Sequence, residues 1–423
     1  MKISVIGGGY VGLVSSACFA ELGHSVDLVE IDEEKVEAIN SGKPPIYEKG
    51  LEELLRKHAG HDLRANSGYN DLLNSEISFI CVGTPSGSDG SADLSMIEAA
   101  SRSIGESLKE RKGYHVVVVK STVPPGTTQN LVIPTVLRYS GYVEGEVGFV
   151  MNPEFLREGL AVQDFMKPDR IVIGSSEAKA GDLVETVYEG LKAPMIRVGL
   201  SAAEMTKHAS NAFLATKISF SNEIGNICKK LGIDVYEVMR GVGMDHRISP
   251  HFLNAGAGFG GSCFPKDVMA MIRLGEMIDE DPVLLKSVIE VNRRQPLRMV
   301  ELLERRIGDL EGKEIAVLGL AFKNDTDDVR ESRSIPLINE LKNRGARIRA
   351  YDPLAASNMR KVVPDIEYCV DVAGALENAD ACFIMTEWPE FAQLDEEFDL
   401  MKTRVIIEGR KVLLCGYAEG LCW

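Results

Sequence analysis

The chain has 423 residues, enough for two or three domains rather than one core. Its hydrophobic share of 45% is ordinary for a globular protein, and no apolar run is long enough for a membrane helix. The formal net charge of −16 argues against nucleic acid as a partner, because phosphate binding needs a basic surface. The N-terminus lacks the long apolar segment of a signal peptide, so we expect a cytoplasmic protein.

The cysteines are dispersed, without a close C-x-x-C pair. They stand at positions 18, 81, 228, 263, 369, 382, 415 and 422. This spacing fits neither a disulfide framework nor a structural zinc site, so we expect reduced thiols and no metal.

The first 32 residues carry a glycine fingerprint between a strand and a helix. A strand at 3–6 leads into GGGYVG at 7–12, an apolar helix runs to about Leu22, and a second strand closes on Glu30. In this context Gly7 allows the turn, Gly9 lets the backbone approach a pyrophosphate, and Gly12 lets the helix pack on the strand. Glu30 would bind the ribose hydroxyls, and the acids at 32–34 disfavour a 2′-phosphate. The pattern therefore predicts a Rossmann-like domain that binds NAD.

Two threonines follow strands of the same predicted sheet. Apolar runs at 77–82 and 116–119 are typical of strands covered on both faces, and Thr84 and Thr122 stand just after them. Ligands of open α/β sheets bind beyond the carboxyl ends of the strands. We therefore expect cofactor or substrate contacts from these threonines, although a helix cap or a turn hydroxyl is an equally good interpretation.

Residues 152–159, NPEFLREG, hold two acids four residues apart. Glu154 and Glu158 would share one side of a helix, whereas the flanking Pro153 and Gly159 favour a shaped loop. A solvated acidic face is the alternative without function.

A long helical pattern begins near Ser201 and continues beyond Lys230. Ser201 and Glu204 have the spacing of a capping box. Lys207 and Asn211 are one turn apart on one face among largely apolar neighbours, which favours a partly buried position for Lys207. A helix of this length could join two domains and form a homodimer through its apolar face.

The glycine-rich segment 256–267 ends on a cysteine and two charged residues. Four glycines within six positions let the backbone fold closely around a ligand. Cys263, with Lys266 and Asp267 just beyond it, has the surroundings of an activated thiolate. The other cysteines are expected to be inert core residues.

From residue 313 the strand, glycine turn, helix and acid-ended strand of residues 1–32 recur with an incomplete fingerprint. This predicts a second doubly wound sheet with a mononucleotide or sugar-nucleotide site. Lys323, Arg330 and Arg410 follow strand ends, where an anionic ligand would need them, but each alone could be a surface charge. The predicted fold is α/β, with two Rossmann-like domains (1–198 and 306–423) joined by a helical region (199–305) that contains a long central helix.

The chain resembles the UDP-glucose 6-dehydrogenase family, within the wider group of nucleotide-sugar dehydrogenases, nearly from end to end. The motifs that carry the resemblance are GFGGSCFPKD at 258–267, NPEFLREG at 152–159, PDR at 168–170, FK at 322–323 with DDVRES at 327–332, and TEWPEF at 386–391. The resemblance implies catalytic roles for Cys263, Lys207, Asn211, Asp267, Glu154 and Thr122. It implies NAD contacts from Gly7, Gly9, Tyr10, Val11, Gly12, Glu30, Lys35, Thr84, Thr122, Glu158, Lys266 and Arg330. It places the UDP-sugar against Glu154, Phe155, Leu156, Arg157, Glu158, Lys207, Asn211, Phe252, Leu253, Asn254, Ala255, Gly256, Gly260, Lys323 and Arg410.

The implied reaction is a four-electron oxidation of the sugar with two NAD molecules, through a thiohemiacetal and a thioester on Cys263. Three departures keep alternatives open. Glu30 stands where the family commonly has Asp, residues 408–411 read EGRK instead of DGRN, and the tail 419–423 is similar to that of GDP-mannose 6-dehydrogenases. The alternatives are the same chemistry on GDP-mannose, a single-step hydroxyacid dehydrogenase, and a non-catalytic NAD-binding regulator.

Overall fold

The computed structural model describes residues 1–69, 72, 74–87, 89–414 and 416–423. It divides into two compact units, Met1–Ser210 and Asn211–Trp423. The seven described cysteines are free thiols, and Cys415 lies outside the described residues. No helix in the described ranges is long and apolar enough to cross a membrane.

The first unit is built on an eight-stranded sheet. Its strands are β1 (Lys2–Ile6), β2 (Ser25–Val29), β3 (Leu63–Asn66), β4 (Ile77–Ile80), β5 (His115–Val119), β6 (Val147–Met151), β7 (Ile171–Ser175) and β8 (Met195–Val198). They lie in the order β3-β2-β1-β4-β5-β6-β7-β8, and every neighbouring pair is parallel except β6 with β7. All residues of β4 and β5 are buried, which explains why both strands are continuous apolar runs.

Helices cover this sheet. They are α1 (Tyr10–Glu21), α2 (Glu33–Asn40), α3 (Leu51–His58), α4 (Ser95–Leu108), α5 (Ile133–Ser140), α6 (Ala161–Met166) and α7 (Ala178–Val187), with a π-helical turn at Thr128–Val132. The long helix α8 covers Leu200–Leu231, as the sequence predicts.

In the second unit three helices precede a six-stranded sheet, and three further helices lie between its strands. The helices before the sheet are α9 (Val235–Gly243), α10 (Phe264–Met277) and α11 (Val283–Ile307). The sheet elements are β9 (Glu314–Leu318), α12 (Ser334–Asn343), β10 (Arg347–Tyr351), α13 (Ala356–Val362), β11 (Glu367–Tyr368), α14 (Val372–Leu376), β12 (Ala381–Ile384), β13 (Ile406–Glu408) and β14 (Glu419–Gly420). All strands are parallel, in the order β11-β10-β9-β12-β13-β14. This order repeats the pattern of β1–β6, so the predicted fold class and internal repeat are confirmed.

One local prediction is wrong. Ser201 lies inside α8, which begins at Leu200, and Glu204 does not close a capping box. The Glu204 carboxylate instead accepts hydrogen bonds from the backbone N–H groups of Gly126 and Thr128, at 2.5 and 2.7 Å. The shaped loop predicted around Glu154 and Glu158 is confirmed, because residues 152–160 form an irregular loop between β6 and α6. Pro153 and Gly159 outweigh the helical spacing of the two acids.

Candidate active site

The glycine loop between β1 and α1 has the shape that a dinucleotide requires. Gly7 has φ +101°, in the region that favours glycine. A Cβ at Gly12 would lie 1.9 Å from the Gly7 carbonyl oxygen, so this glycine allows the helix to pack on the turn. A Cβ at Gly9 would meet nothing within 4 Å, so the backbone there is open to a ligand at the N-terminus of α1. These residues fit the pyrophosphate of NAD.

Glu30 follows β2 and lies against this loop. It is buried, and its carboxylate accepts hydrogen bonds from the N–H groups of Gly8 (2.9 Å) and Asp32 (3.0 Å). Because each carboxylate oxygen has two lone pairs, acceptor capacity is left for ribose hydroxyls. The ammonium of Lys35 lies 3.8 Å from the Asp32 carboxylate, in an exposed pair.

The two strand-end threonines are joined to each other. The Thr84 hydroxyl donates to the Thr122 carbonyl at 2.9 Å, so neither the helix-cap nor the turn interpretation describes Thr84. Helix α8 holds the same loop from another side. His208 Nε2 is 3.0 Å from the Val123 carbonyl, and Glu204 binds Gly126 and Thr128.

A buried ion pair links the 152–160 loop to α8. Lys207 Nζ lies 2.9 Å from Glu154 Oε1, and both side chains are almost completely buried. The Glu154 carboxylate also accepts the Leu156 N–H at 2.5 Å, and the Lys207 ammonium faces the Phe155 ring at 5.4 Å. A buried pair of this kind holds an ammonium where it can stabilise a developing negative charge. The predicted partial burial of Lys207 is confirmed.

The rest of this loop is fixed by contacts within the first unit. The Arg157 backbone N–H and guanidinium both bind the Asp164 carboxylate, at 3.0 and 2.6 Å. Glu158, the next residue along the chain, is half-buried. The Tyr10 hydroxyl, at the start of α1, binds the Glu48 carboxylate.

In the second unit the glycines of 256–261 pack against protein rather than leave space for a ligand. A Cβ at Gly256 would lie 2.1 Å from the Gly409 carbonyl oxygen, and one at Gly258 would lie 2.3 Å from Asn292 Oδ1. The same holds for Gly260 and Gly261, whose Cβ atoms would meet the Glu331 carbonyl oxygen at 2.3 Å and the Phe322 ring at 2.7 Å. The glycines therefore let this loop lie against the chain's own segments, a different reason from the one that the sequence suggests.

The loop ends on Cys263, which is half-buried and immediately precedes α10. The N-terminus of a helix favours negative charge, as a thiolate needs. One turn into α10, Asp267 is buried, and its two carboxylate oxygens are bound by Asn211 Nδ2 at 2.6 Å and Lys266 Nζ at 2.7 Å. The structure thus brings together three predicted catalytic or cofactor-binding residues, Asn211, Lys266 and Asp267, at the first turn of the helix that follows Cys263.

The residues of the second unit that are predicted to bind the sugar-nucleotide or the cofactor differ from one another in conformation, contacts and exposure. Phe252 has φ +65°, a strained conformation for an aromatic residue. Arg410 donates to the Gly258 carbonyl at 2.5 Å and lies 3.3 Å from the Glu387 carboxylate, so it is not a free surface charge. Arg330 is exposed and pairs with Asp328 at 2.6 Å. Lys323 is half-buried.

The remaining described cysteines have no comparable setting. Cys18, Cys81, Cys228, Cys382 and Cys422 are buried. Burial raises the pKa of the Cys81 and Cys422 thiols to about 12 and also raises the pKa of Cys18 and Cys382. The thiols of Cys18, Cys81, Cys382 and Cys422 therefore stay protonated near neutral pH, in agreement with their expected inert role.

Several residues that support these clusters have no sequence motif. Asn292, on α11, accepts the Phe259 N–H at 2.7 Å and donates to its carbonyl at 3.0 Å, which fixes the glycine-rich loop. Lys120 follows β5 and is buried. Its ammonium lies 3.1 Å from both Asn152 Oδ1 and the Tyr188 hydroxyl. The one sequence signal that could have indicated Asn292 and Lys120 is the presence of a polar residue next to apolar ones.

Three family descriptions match successive parts of the chain. They are the NAD binding domain of the UDP-glucose/GDP-mannose dehydrogenase family over residues 1–192, its central domain over 201–294 and its UDP binding domain over 316–414. The chain belongs to the UDP-glucose/GDP-mannose dehydrogenase family. It is therefore an NAD-dependent oxidoreductase, as the sequence predicts.

Several members of this family are similar to the chain over almost their whole length. The UDP-glucose 6-dehydrogenase of Haloferax volcanii is 48% identical over 419 residues, which are 98% of this chain and 97% of that protein. A UDP-glucose dehydrogenase structure from Pyrobaculum islandicum has a TM-score of 0.95 and 44% identity, covering 100% and 98% of the two chains. The GDP-mannose dehydrogenase structure from Pseudomonas aeruginosa has a TM-score of 0.58 and 35% identity, covering 100% of both chains.

Proposed function

We propose that this family member oxidises UDP-glucose to UDP-glucuronate. The proposal is carried by Cys263 at the start of α10, with buried Asp267 one turn further along the helix. A single-step alcohol oxidation has no need for such a cysteine, whereas oxidation from CH₂OH to carboxylate does. The 48% identity to the Haloferax volcanii UDP-glucose 6-dehydrogenase supports UDP-glucose as the substrate.

NAD supplies the hydride acceptor when it is bound, and removal of four electrons requires two molecules of it. The N-terminus of α1 and the open backbone at Gly9 would hold the pyrophosphate, and Glu30 would hold the ribose hydroxyls. Thr84, Thr122 and Glu158 complete the proposed cofactor contacts of the first unit.

Cys263 retains the intermediate between the two oxidations. Its thiolate adds to the aldehyde carbon, which forms a C–S bond and leaves the electron pair on oxygen as a thiohemiacetal. The second two-electron oxidation converts this group to a thioester. Water then attacks the thioester carbon, the C–S bond breaks, and the carboxylate leaves with restoration of the thiolate and release of two protons.

We propose two kinds of role for the polar residues, and Lys207 has both. The ammonium of Lys207 and the amide of Asn211 would stabilise the oxyanions. Glu154 and Asp267 would exchange protons with the sugar hydroxyl and the attacking water, together with Lys207. Lys323 and Arg410 would meet the diphosphate of the UDP-sugar.

We further propose the division into an NAD-binding domain (1–198), a helical region (199–305) and a UDP-sugar domain (306–423). The partner we propose is a second copy of the chain that packs on α8. Along this helix Phe213, Phe220 and Ile227 recur every seven residues and expose 65%, 50% and 52% of their surface. Such a stripe suits packing between two helices.

The number of NADH molecules formed per UDP-glucose consumed tests the proposal. With limiting UDP-glucose and excess NAD we expect two. A ratio of one would indicate release at the aldehyde or a simpler dehydrogenase. GDP-mannose is the second candidate, favoured by the tail at 419–423, and it would replace UDP-glucose if it gave the higher kcat/KM at the same ratio of two.

A further inference from the structure

Glu48 is a buried carboxylate that no step of the proposed reaction uses. It stands between α2 and α3 and exposes 5% of its surface. Burial of a carboxylate is costly unless hydrogen bonds satisfy it, so a residue of this kind has a definite set of partners.

Three donors converge on the Glu48 side chain. Its Oε2 atom accepts a hydrogen bond from the Tyr10 hydroxyl and, at 2.7 Å, another from the Gly159 N–H. Its Oε1 atom accepts a hydrogen bond from the Ala161 N–H at 2.9 Å. The Gly159 N–H also lies 3.0 Å from the Tyr10 hydroxyl oxygen. One carboxylate therefore joins the first residue of α1 to the backbone around the start of α6.

Both ends of this connection lie next to proposed cofactor contacts. Tyr10 directly follows the glycine loop as the first residue of α1, and Gly159 directly follows Glu158. Gly159 has φ +81°, so the chain turns sharply at the residue that Glu48 holds. On the other side of Glu158, the Arg157 backbone N–H is bound by Asp164 at 3.0 Å. The backbone that carries Glu158 is thus fixed on both sides, and one of the two attachments runs through Glu48 to the glycine loop.

We propose that Glu48 is a positioning residue for the cofactor, which sets Glu158 relative to the glycine loop through Tyr10 and Gly159. This inference rests on the proposed function only in taking NAD as the ligand of both elements. The contacts of Glu48 described above are all made to protein groups. Because the glycine loop is a cofactor element, the effect is expected mainly on NAD affinity, and UDP-sugar binding should change much less.

Glu48→Gln tests the proposal because it keeps the shape but replaces one acceptor oxygen with an NH₂ group that faces N–H donors. We expect the Kd for NADH to rise about tenfold, as for the loss of one buried hydrogen bond to a charged group. The KM for NAD should rise in parallel, while the KM for UDP-glucose stays within about twofold. Tyr10→Phe should raise the Kd for NADH about threefold. The double variant should bind NADH no more weakly than Glu48→Gln alone, since the two residues act through one contact.

The matched control is Glu53→Gln, which makes the same change on an exposed residue of α3 and should leave NADH binding unchanged. Wild-type NADH affinity in Glu48→Gln would overturn the proposal. An equal loss of NADH and UDP-sugar binding with a lower Tm would also overturn it, because it would mean general loss of structure. If Glu48→Gln does not fold, Glu48→Asp, which keeps the charge but shortens the reach to the Gly159 and Ala161 N–H groups, is judged by the same criteria. NADH binding needs no turnover, so failure of UDP-glucose as the substrate would leave this result readable.

Discussion

Two acids at equivalent positions of the two sheets show how differently one residue type can be used. Glu30 follows β2 and accepts two backbone N–H groups. Asp352 follows β10, the matching strand of the repeat, and accepts five donors. They are the N–H groups of Leu320, Ala321, Leu354 and Ala355 and the Trp388 indole N–H, at 2.7–3.0 Å. A carboxylate with five donors has little capacity left for ribose hydroxyls. This saturation of Asp352 supports the expectation that the second sheet does not form a second dinucleotide site.

Among the thiols, Cys263 combines partial exposure with a place at a helix N-terminus. Replacement of Cys263 by Ser keeps the size of the side chain but removes the nucleophile that holds the aldehyde. We expect NADH production to fall by roughly a thousandfold or more, while UDP-glucose binding, measured by calorimetry, stays within a few-fold of wild type. Cys369→Ser, at another half-buried cysteine, should have wild-type turnover. Unchanged steady-state turnover in Cys263→Ser would contradict the covalent mechanism.

At the scale of elements, the first turns of α8 serve as a frame for two loops. Glu204 and His208 bind the loop that carries Thr122, and Lys207 binds Glu154 in the next one. Residues three and four positions apart lie on the same side of a helix, so Glu204, Lys207 and His208 can reach two adjoining loops. The Glu204 carboxylate is fully buried, and this burial raises its pKa.

The raised pKa of Glu204 gives a pH-dependent prediction. A carboxyl group whose pKa is higher in the folded state favours folding when protonated, so its contribution is present below the unfolded value and is lost as pH rises through the folded pKa. Glu204→Gln lacks this titration. We therefore expect the Tm of Glu204→Gln to gain on that of wild type as pH rises from about 4.5. Glu223→Gln, at an exposed position of α8, should show no such trend, and a pH-independent difference for Glu204→Gln would contradict the account.

Local patterns predicted the elements but not their supports. The glycine loop, the apolar strands and the glycine-rich segment that ends on Cys263 could be recognised because their signals lie within about ten residues. Glu48 and Gly159 are 111 residues apart, and Glu204 and Thr128 are 76 apart. No spacing rule relates such pairs, since each depends on tertiary contacts. The capping-box prediction was wrong for the same reason, because a tertiary partner took the Glu204 carboxylate.

At the scale of the whole molecule, the exposed apolar stripe on α8 contrasts with a chain of net charge −16. Phe220 lies at the middle of the stripe. Replacement of Phe220 by Glu would bury two like charges in the proposed symmetric contact, at a cost of several kcal/mol. We expect light scattering after gel filtration to give a dimer for wild type and a monomer for Phe220→Glu. Val370→Glu makes the same kind of change on another exposed surface and should stay dimeric, whereas a dimeric Phe220→Glu would exclude the α8 contact.

The buried ammonium of Lys120 bears on how this fold responds to ionic strength. Exposed pairs such as Arg56 with Glu52 lose much of their attraction as dissolved ions screen them. In the part of the chain that the structure describes, Lys120 is held by the uncharged groups of Asn152 and Tyr188 and by the Phe165 ring at 5.9 Å. Dipoles and aromatic faces inside a protein offer dissolved ions no counter-charge to screen. The junction of β5 and β6, from which the loops of Thr122 and Glu154 depart, should therefore keep its geometry across salt concentrations that weaken the surface pairs.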